Sequence, residues 1–428
     1  MSTPTDTVPD ALCTFHRNRQ APTPRFTPGA TEIRPPGALH ETDPAAPAQA
    51  APDMRTAAST HSPVSEPAPA RRLTRRSAHP SDPGPSANPA APSAPASCDL
   101  RKARPRPGDE AVTVAAGSST TVNPIPQTGS IRVFADIDLQ TPTTTAEQVA
   151  AAAGPRTRAL MTAHAPGNPN EAAGPAAAQG LFLTEDNCDA VGSPHDSKPT
   201  GTFGGPATVS FSPAHHLTMG EGRCAPAPNP APARITEPAR GRGRDCRCEP
   251  GENNRRPKRC GHRTGTPPAG YDHTHTFRHA GDHLNGNDLH PAPGVSQPTK
   301  PDAVTAARRT NRARLREGPH GAPHLIRPQA TPRSDPRRSG FPVTSPRTPS
   351  FSRTERVQLP HGRRIGTRLN LAGSPARHPA YTGQPHRTAG EPTSSGIVTE
   401  RTFRADTHPK TTKERAHYVT TSHKDLLT

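Results

Sequence analysis

The stretch Ser130–Pro155, SIRVFADIDLQTPTTTAEQVAAAAGP, is the most orderly in the chain, and its reading decides how the rest is taken. Ile131, Val133, Ala135, Ile137 and Leu139 alternate with Arg132, Phe134, Asp136 and Asp138. That period of two places the apolar set on one face of a strand. Pro142 ends any pairing. Thr144 and Glu147 then stand at capping-box spacing, the run Ala146–Ala153 favours helix, and Gly154 with Pro155 closes it. One segment upstream, Ala111–Ala115 with Val112 and Val114 in alternation, offers a partner strand. Asn123, Pro124 and Gly129 between the two suit a loose hairpin. The expectation is a small α+β island, β-β-α in order, over residues 111–163.

Outward from this island the composition argues against a larger core. Val, Leu, Ile and Phe together supply 51 of 428 residues, about 12%, where chains below about 20% with high net charge are expected to be disordered. Ordering a residue costs about 1.5 kcal/mol, and a buried Leu or Phe returns roughly 1.5–3. One bulky apolar residue in about eight does not offset that cost along the chain. With 59 Pro and 34 Gly, a net charge of +17 and a pI near 10.5, the composition predicts a mostly intrinsically disordered, basic chain. Its divisions read as disordered Pro/Ala/Ser-rich over 1–110, the possible island over 111–163, and disordered Gly/Pro/Ala-rich over 164–239. A basic Cys/His-rich segment follows over 240–290, then an Arg/Pro/Thr-rich tail over 291–428. Within the third division, Leu181, Phe182 and Leu183 form a dense apolar triplet followed by Glu185, Asp186, Cys188 and Asp189. The triplet reads as a short element lying on the island or as an apolar spot in coil, and its length favours coil.

Seven cysteines, an odd and scattered set, do not form a secreted disulfide framework. No apolar run approaches the length of a membrane helix, and the polar N-terminus lacks a signal core, so a cytoplasmic address is the default expectation. No oligomer is predicted.

Three stretches carry residues suited to chemistry. Cys246, Cys248, Cys260 and His262 form two chelating pairs that fit a three-Cys, one-His zinc site, although one-residue spacers are tighter than usual. Asp302–Glu317 is a helix candidate, with Asp302 as cap and Gly318–Pro319 as stop. Arg308, Arg309, Arg312, Arg314 and Arg316 crowd its second half, which resembles the arginine-rich peptide helices that fold on RNA. Asp136 and Asp138 form a D-x-D pair that resembles the start of phosphotransferases of the haloacid dehalogenase type. Gln140 stands where that family usually has Thr or Val, and the pair reads as solvent-facing. Nucleophile elbows, Walker loops and H-E-x-x-H are absent.

Three readings follow. One is a disordered basic chain with no assignable biochemical function, such as a reading frame never shaped by selection. Another is polyanion association, with RNA or DNA, through the Arg-rich segments. The third is a small zinc module over 246–283. In each the chain is a non-enzyme, and zinc is the only cofactor considered.

Overall fold

The computed structural model describes residues 26–33, 105–212, 214–218, 301–317, 328–338, 340–345 and 353–424, with short pieces elsewhere. Strand β1 (Glu110–Val114) leads through two single-turn helices, α1 (Ser119–Val122) and α2 (Pro124–Gln127), into β2 (Ile131–Ala135). Helix α3 (Ala146–Ala152), β3 (Thr157–Ala163), α4 (Ala173–Ala178) and β4 (Phe182–Asp186) continue the alternation. The hairpin of β5 (Pro194–His195) and β6 (Lys198–Pro199) precedes β7 (Ala207–Ser210) and β8 (Arg223–Cys224). Farther on come α5 (Pro301–Glu317), β9 (Gly340–Thr344), α6 (Arg353–Gly362), β10 (Arg368–Leu369) and β11 (His386–Thr388). The last elements are α7 (Thr393–Arg401), β12 (Thr402–Asp406) and α8 (Lys413–Lys424).

The main sheet has seven strands in the order β11-β2-β1-β3-β4-β7-β8. The first six run parallel, and only β8 is antiparallel to its neighbour. The expected hairpin between 111–115 and 131–135 is therefore a parallel pair, with Val112 opposite Val133. Parallel neighbours need a crossover rather than a tight turn, and α1 and α2 provide it.

Period-two alternation then sorts the side chains onto two covered faces. Val112, Val133, Leu160 and Leu183 pack with Val149 and Ala152 of α3 and Ala176 of α4. Ala111, Ala159, Met161 and Phe182 pack on the other face with Ile125 of α2. Strand β2 is thus interior on both sides, and Arg132 and Phe134, expected to face solvent, are fully buried. The triplet Leu181–Leu183 enters β4, an inner strand between β3 and β7, rather than coil.

Helix α3 is capped one residue later than the Thr144–Glu147 spacing suggested. Gln148 N donates to Thr145 Oγ1 at 3.3 Å, and Thr145 N donates to Gln148 Oε1 at 2.9 Å. Strands β10, β12 and β9 form a smaller antiparallel sheet in the order β10-β12-β9. Its core is Ile33, Leu315 of α5, Phe341, Val343, Ile365, Phe403 and Val419 of α8.

The expectation of a mostly disordered chain with one island is overturned. A count of bulky residues undervalues this core because small side chains fill it. Ala111, Ala135, Ala152 and Ala159 are buried, as are Thr113, Thr162 and Thr184. Parallel strands covered on both faces pack closely enough for such residues to exclude water. No helix among the described residues is long and apolar enough to cross a membrane.

Candidate active site at the carboxyl edge of the sheet

Because β1, β3, β4 and β7 are parallel, their carboxyl ends share one edge, where open α/β sheets bind ligands. Thr121 stands beyond β1, His164 beyond β3, Asp186 at the end of β4, and His215 on the segment after β7.

Asp186 is 9% exposed. Its Oδ2 accepts from Thr121 Oγ1 at 2.6 Å, and its Oδ1 from Cys188 N at 3.2 Å and Thr208 Oγ1 at 3.3 Å. Each oxygen retains lone-pair capacity. Among the described residues no Lys, Arg or His lies within ion-pair distance of it. A largely buried carboxylate without a counter-charge is costly, and it suits a cationic group placed against it.

Behind it, Glu185 is fully buried and accepts from Gly201 N at 2.7 Å, Phe203 N at 2.8 Å and His164 Nε2 at 2.9 Å. Asn170 N donates to His164 Nδ1 at 3.1 Å, so the proton of that ring sits on Nε2 and points at Glu185. This constellation fixes the floor of the edge.

His215 is one-fifth exposed, with Nδ1 3.3 Å from Asp189 Oδ1 but not aligned for a hydrogen bond. Arg404 Nη1 lies 4.0 Å from the other Asp189 oxygen. Arg308 Nη2 donates to the His215 carbonyl at 3.2 Å. The next residue, His216, is buried and donates through Nε2 to the Arg337 carbonyl at 2.6 Å. Burial, with the Arg308 charge beside it, pushes the His216 imidazole down to about 3. Gly167, at φ +85°, closes this corner: a Cβ there would lie 2.6 Å from Arg338 Cα and 2.7 Å from the Asp189 carbonyl. Lys198, Lys410 and Lys413 are all exposed, and no described lysine stands on the segment after β7.

The residues favoured from sequence fall elsewhere. Cys246, Cys248, Cys260 and His262 lie outside the described residues, and among the described residues no group of three or more His, Cys, Asp or Glu could hold a metal. Asp136 accepts from the amides of Ser394 at 2.9 Å and Ser395 at 2.8 Å, capping α7. Asp138 accepts from Gln140 N at 2.9 Å and Thr141 N at 2.7 Å in a turn. The D-x-D pair is therefore structural. Arg308, Arg309, Arg312, Arg314 and Arg316 share α5, where Arg308 is buried and Arg314 donates to Asn311 Oδ1 at 3.0 Å. Sequence reasoning missed Thr121, Asp186 and His215. The signal available was Phe182–Asp186, an apolar strand ending in a carboxylate, once that strand is recognised as one of a parallel set.

Comparison with known proteins gives the same fold and adds chemistry. The chain is 45% identical to a dTDP-4-dehydro-2,6-dideoxy-D-glucose 3-dehydratase of Saccharopolyspora spinosa, over 98% of this chain and 93% of that protein. It is 38% identical to the lipopolysaccharide biosynthesis protein RfbH of Salmonella typhimurium, over 75% of each. A solved GDP-4-keto-6-deoxymannose-3-dehydratase variant with bound GDP-perosamine superposes with a TM-score of 0.77 at 19% identity, covering 93% of this chain and all of that one. A further structure of a dehydratase of that name, from E. coli, holds hydrated pyridoxal phosphate (PLP) and has a TM-score of 0.72 at 20% identity, covering 83% of this chain and 90% of that one. These findings overturn the expectations of a chain without assignable function, of a non-enzyme, and of zinc as the cofactor to consider. The family model matched over residues 97–424 makes the assignment direct: the chain belongs to the DegT/DnrJ/EryC1/StrS aminotransferase family.

Proposed function

We propose that this chain is a PLP-dependent dehydratase acting on a nucleotide-linked ketodeoxysugar. Support comes from the near full-length similarity to a 3-dehydratase that acts on a dTDP-linked 4-keto sugar. The observation that carries the reading is His215, a histidine rather than a lysine, on the segment after β7 and backed by Asp189 at 3.3 Å. Transamination on PLP uses a lysine amine to hold the cofactor and shuttle protons. An imidazole moves a proton near neutral pH without forming that linkage.

Asp186 fits the cofactor's pyridinium nitrogen, since it is a mostly buried carboxylate with no counter-charge among the described residues. Thr121 and Cys188 N hold the carboxylate in place through the 2.6 Å and 3.2 Å bonds. PLP, when bound, supplies an electron sink for a carbanion next to the reacting sugar carbon. Asp189 lies against the Nδ1 side of the His215 ring at 3.3 Å, and Nε2 is the nitrogen we assign to take or return a proton at the sugar.

The test is product mass. The purified chain is incubated with PLP or its amine form, an amino donor, and a dTDP-4-keto-2,6-dideoxy sugar. Loss of the elements of one water supports the dehydratase reading. Gain of an amine with the hydroxyl retained replaces it with an aminotransferase, and unchanged sugar sinks both.

A further inference from the structure

Strand β12 sends an arginine from the small sheet to the candidate site. Phe403 and Ala405 turn into the core of that sheet, so alternation puts Arg404 between them on the opposite face. On the neighbouring β9, Pro342 stands opposite Arg404, and Gly340 stands opposite Asp406. The Arg404 stem passes over Gly340: a Cβ there would lie 2.9 Å from Arg404 Cδ and 3.4 Å from its Nε. A side chain at 340 would therefore push the stem aside. At its far end Nη1 lies 4.0 Å from Asp189 Oδ2, with the Arg404 side chain 15% and that of Asp189 10% exposed.

Asp189 thus stands between two groups. One oxygen faces Arg404, and the other lies 3.3 Å from His215 Nδ1. The charged groups around His215 come from three elements. Asp189 follows β4, Arg404 stands behind it on β12, and Arg308 of α5 donates through Nη2 to the His215 carbonyl at 3.2 Å. His216, next in the chain, is buried and neutral near neutral pH. Attraction between a carboxylate and an imidazolium needs no hydrogen-bond alignment, and in a largely buried site it is strong. A proton-transfer group has to give up the proton it takes, so an undiluted carboxylate beside it is a hindrance. A guanidinium on the far oxygen shares that charge, and it stays cationic throughout the working range of an imidazole.

We propose that Arg404 is a positioning residue for His215, acting through Asp189: it holds the carboxylate against the Nδ1 side of the ring and offsets its charge. The use made of the proton rests on the dehydratase reading. The link from Arg404 through Asp189 to His215 does not, because it is a matter of distance and charge within this chain. It also makes the small sheet part of the site, since the cation is delivered by β12 along a path that Gly340 of β9 keeps open.

The experiment follows carbethoxylation of His215 by diethyl pyrocarbonate in the full chain, located by peptide mass and run from about pH 5 to 8, where imidazoles titrate. The reagent attacks the neutral ring. Arg404→Met keeps the stem and removes the charge, and the His215 midpoint should rise by about one pH unit, the effect of one charge removed at roughly 8 Å in a medium between protein and water. Arg404→Lys restores the charge and should return the midpoint most of the way. Gly340→Ala keeps the charge but displaces the stem, and should raise the midpoint by less than Arg404→Met does. Arg377→Gln, on a surface arginine paired with Glu400, leaves it unchanged. If Arg404→Met fails to fold, Gly340→Ala decides. In the product assay Arg404→Met should lower turnover about tenfold with KM for the sugar nearly unchanged, and Arg404→Lys should recover it. An unmoved or lowered His215 midpoint in Arg404→Met, or a rise that Arg404→Lys does not reverse, overturns the proposal. A parent chain that releases no water overturns the dehydratase reading instead, and the His215 midpoint still decides the role of Arg404.

Discussion

Arg132 makes a stability prediction that runs against intuition, since replacing it should strengthen the fold. The residue sits on β2 between β1 and β11, paired in register with Ala111 and His386. It is 0% exposed, and no carboxylate lies within ion-pair distance of it among the described residues. Its Nη2 donates to Gln384 Oε1 at 3.0 Å, and the guanidinium lies 4.8 Å from the centre of the Tyr381 ring. Nε and Nη1 have no acceptor among the described residues. Burial lowers its pKa, and the Tyr381 hydroxyl partly opposes that shift.

Arg132→Met keeps most of the stem volume, so the cavity term stays small. The change forfeits a charged hydrogen bond, about 1.5–3 kcal/mol, and a cation–ring contact, about 0.5–2 kcal/mol. It removes two buried donors lacking acceptors, about 1–3 kcal/mol each, and a guanidinium desolvation cost of several kcal/mol. The balance favours the variant by about 1–4 kcal/mol. The cover over Arg132 is thin, being the edge strand β11 and the turn at Pro379–Tyr381, so water relieves part of the penalty. We therefore expect about 1–2 kcal/mol. In urea unfolding the midpoint should rise with the slope unchanged. Gln384→Ala should cost about 1.5–3 kcal/mol in the parent, where it strands the cation, and little in the Arg132→Met background. A midpoint that falls in Arg132→Met, or an equal cost of Gln384→Ala in both backgrounds, refutes the reasoning.

Three further outcomes follow. Asp186→Asn should abolish PLP binding, read as loss of the cofactor absorbance after gel filtration, while costing only about 1–3 kcal/mol of stability because Thr121 retains an acceptor. His215→Asn should lower turnover by about 10²–10⁴-fold with PLP affinity nearly unchanged, as removal of a proton-transfer group does. Stability should fall on acidification: burial pushes both His216 and His408 down to about 3, so both stay neutral in the fold and take up protons only on unfolding. The unfolded chain then binds more protons between its own His pKa near 6.5 and the folded value near 3, and stability rises with pH across that window. The loss approaches about 1.4 kcal/mol per pH unit for each imidazole, and His216→Gln should remove one share of the slope in urea midpoints measured from pH 7 to 5.

What could be read from residues was local. The helix from Ala146 and the helix ending at Glu317 lie where propensity and stop signals put them, whereas the alternation read over 131–139 forms a strand only over Ile131–Ala135. The step from those pieces to a fold failed for a physical reason. Burial was estimated from Val, Leu, Ile and Phe alone, while the sheet is closed by alanine, threonine and the covered stem of Arg132. Alternation in β2 suggested one wet face, because a charged residue among apolar ones looks like a solvent position. Only pairing with β1 and β11 in parallel makes it interior.

The site was less legible still, and for a different reason. Thr121, Asp186 and His215 are far apart in sequence and carry no spacing motif of their own. Thr121 and Asp186 meet in a hydrogen bond, and His215 follows β7 at the same edge, because parallel strands deliver their carboxyl ends there. A parallel sheet cannot be inferred from any one strand, since each strand's partner is set by crossovers. The conspicuous clusters, the paired cysteines and the D-x-D, were conspicuous because their members are adjacent, and adjacency serves turns and caps as readily as chemistry. Asp136 shows this directly: its two oxygens are spent on the Ser394 and Ser395 amides at the start of α7, whereas Asp186, read from sequence only as one acid in a run with Glu185 and Asp189, is the carboxylate held at the strand ends without a counter-charge among the described residues.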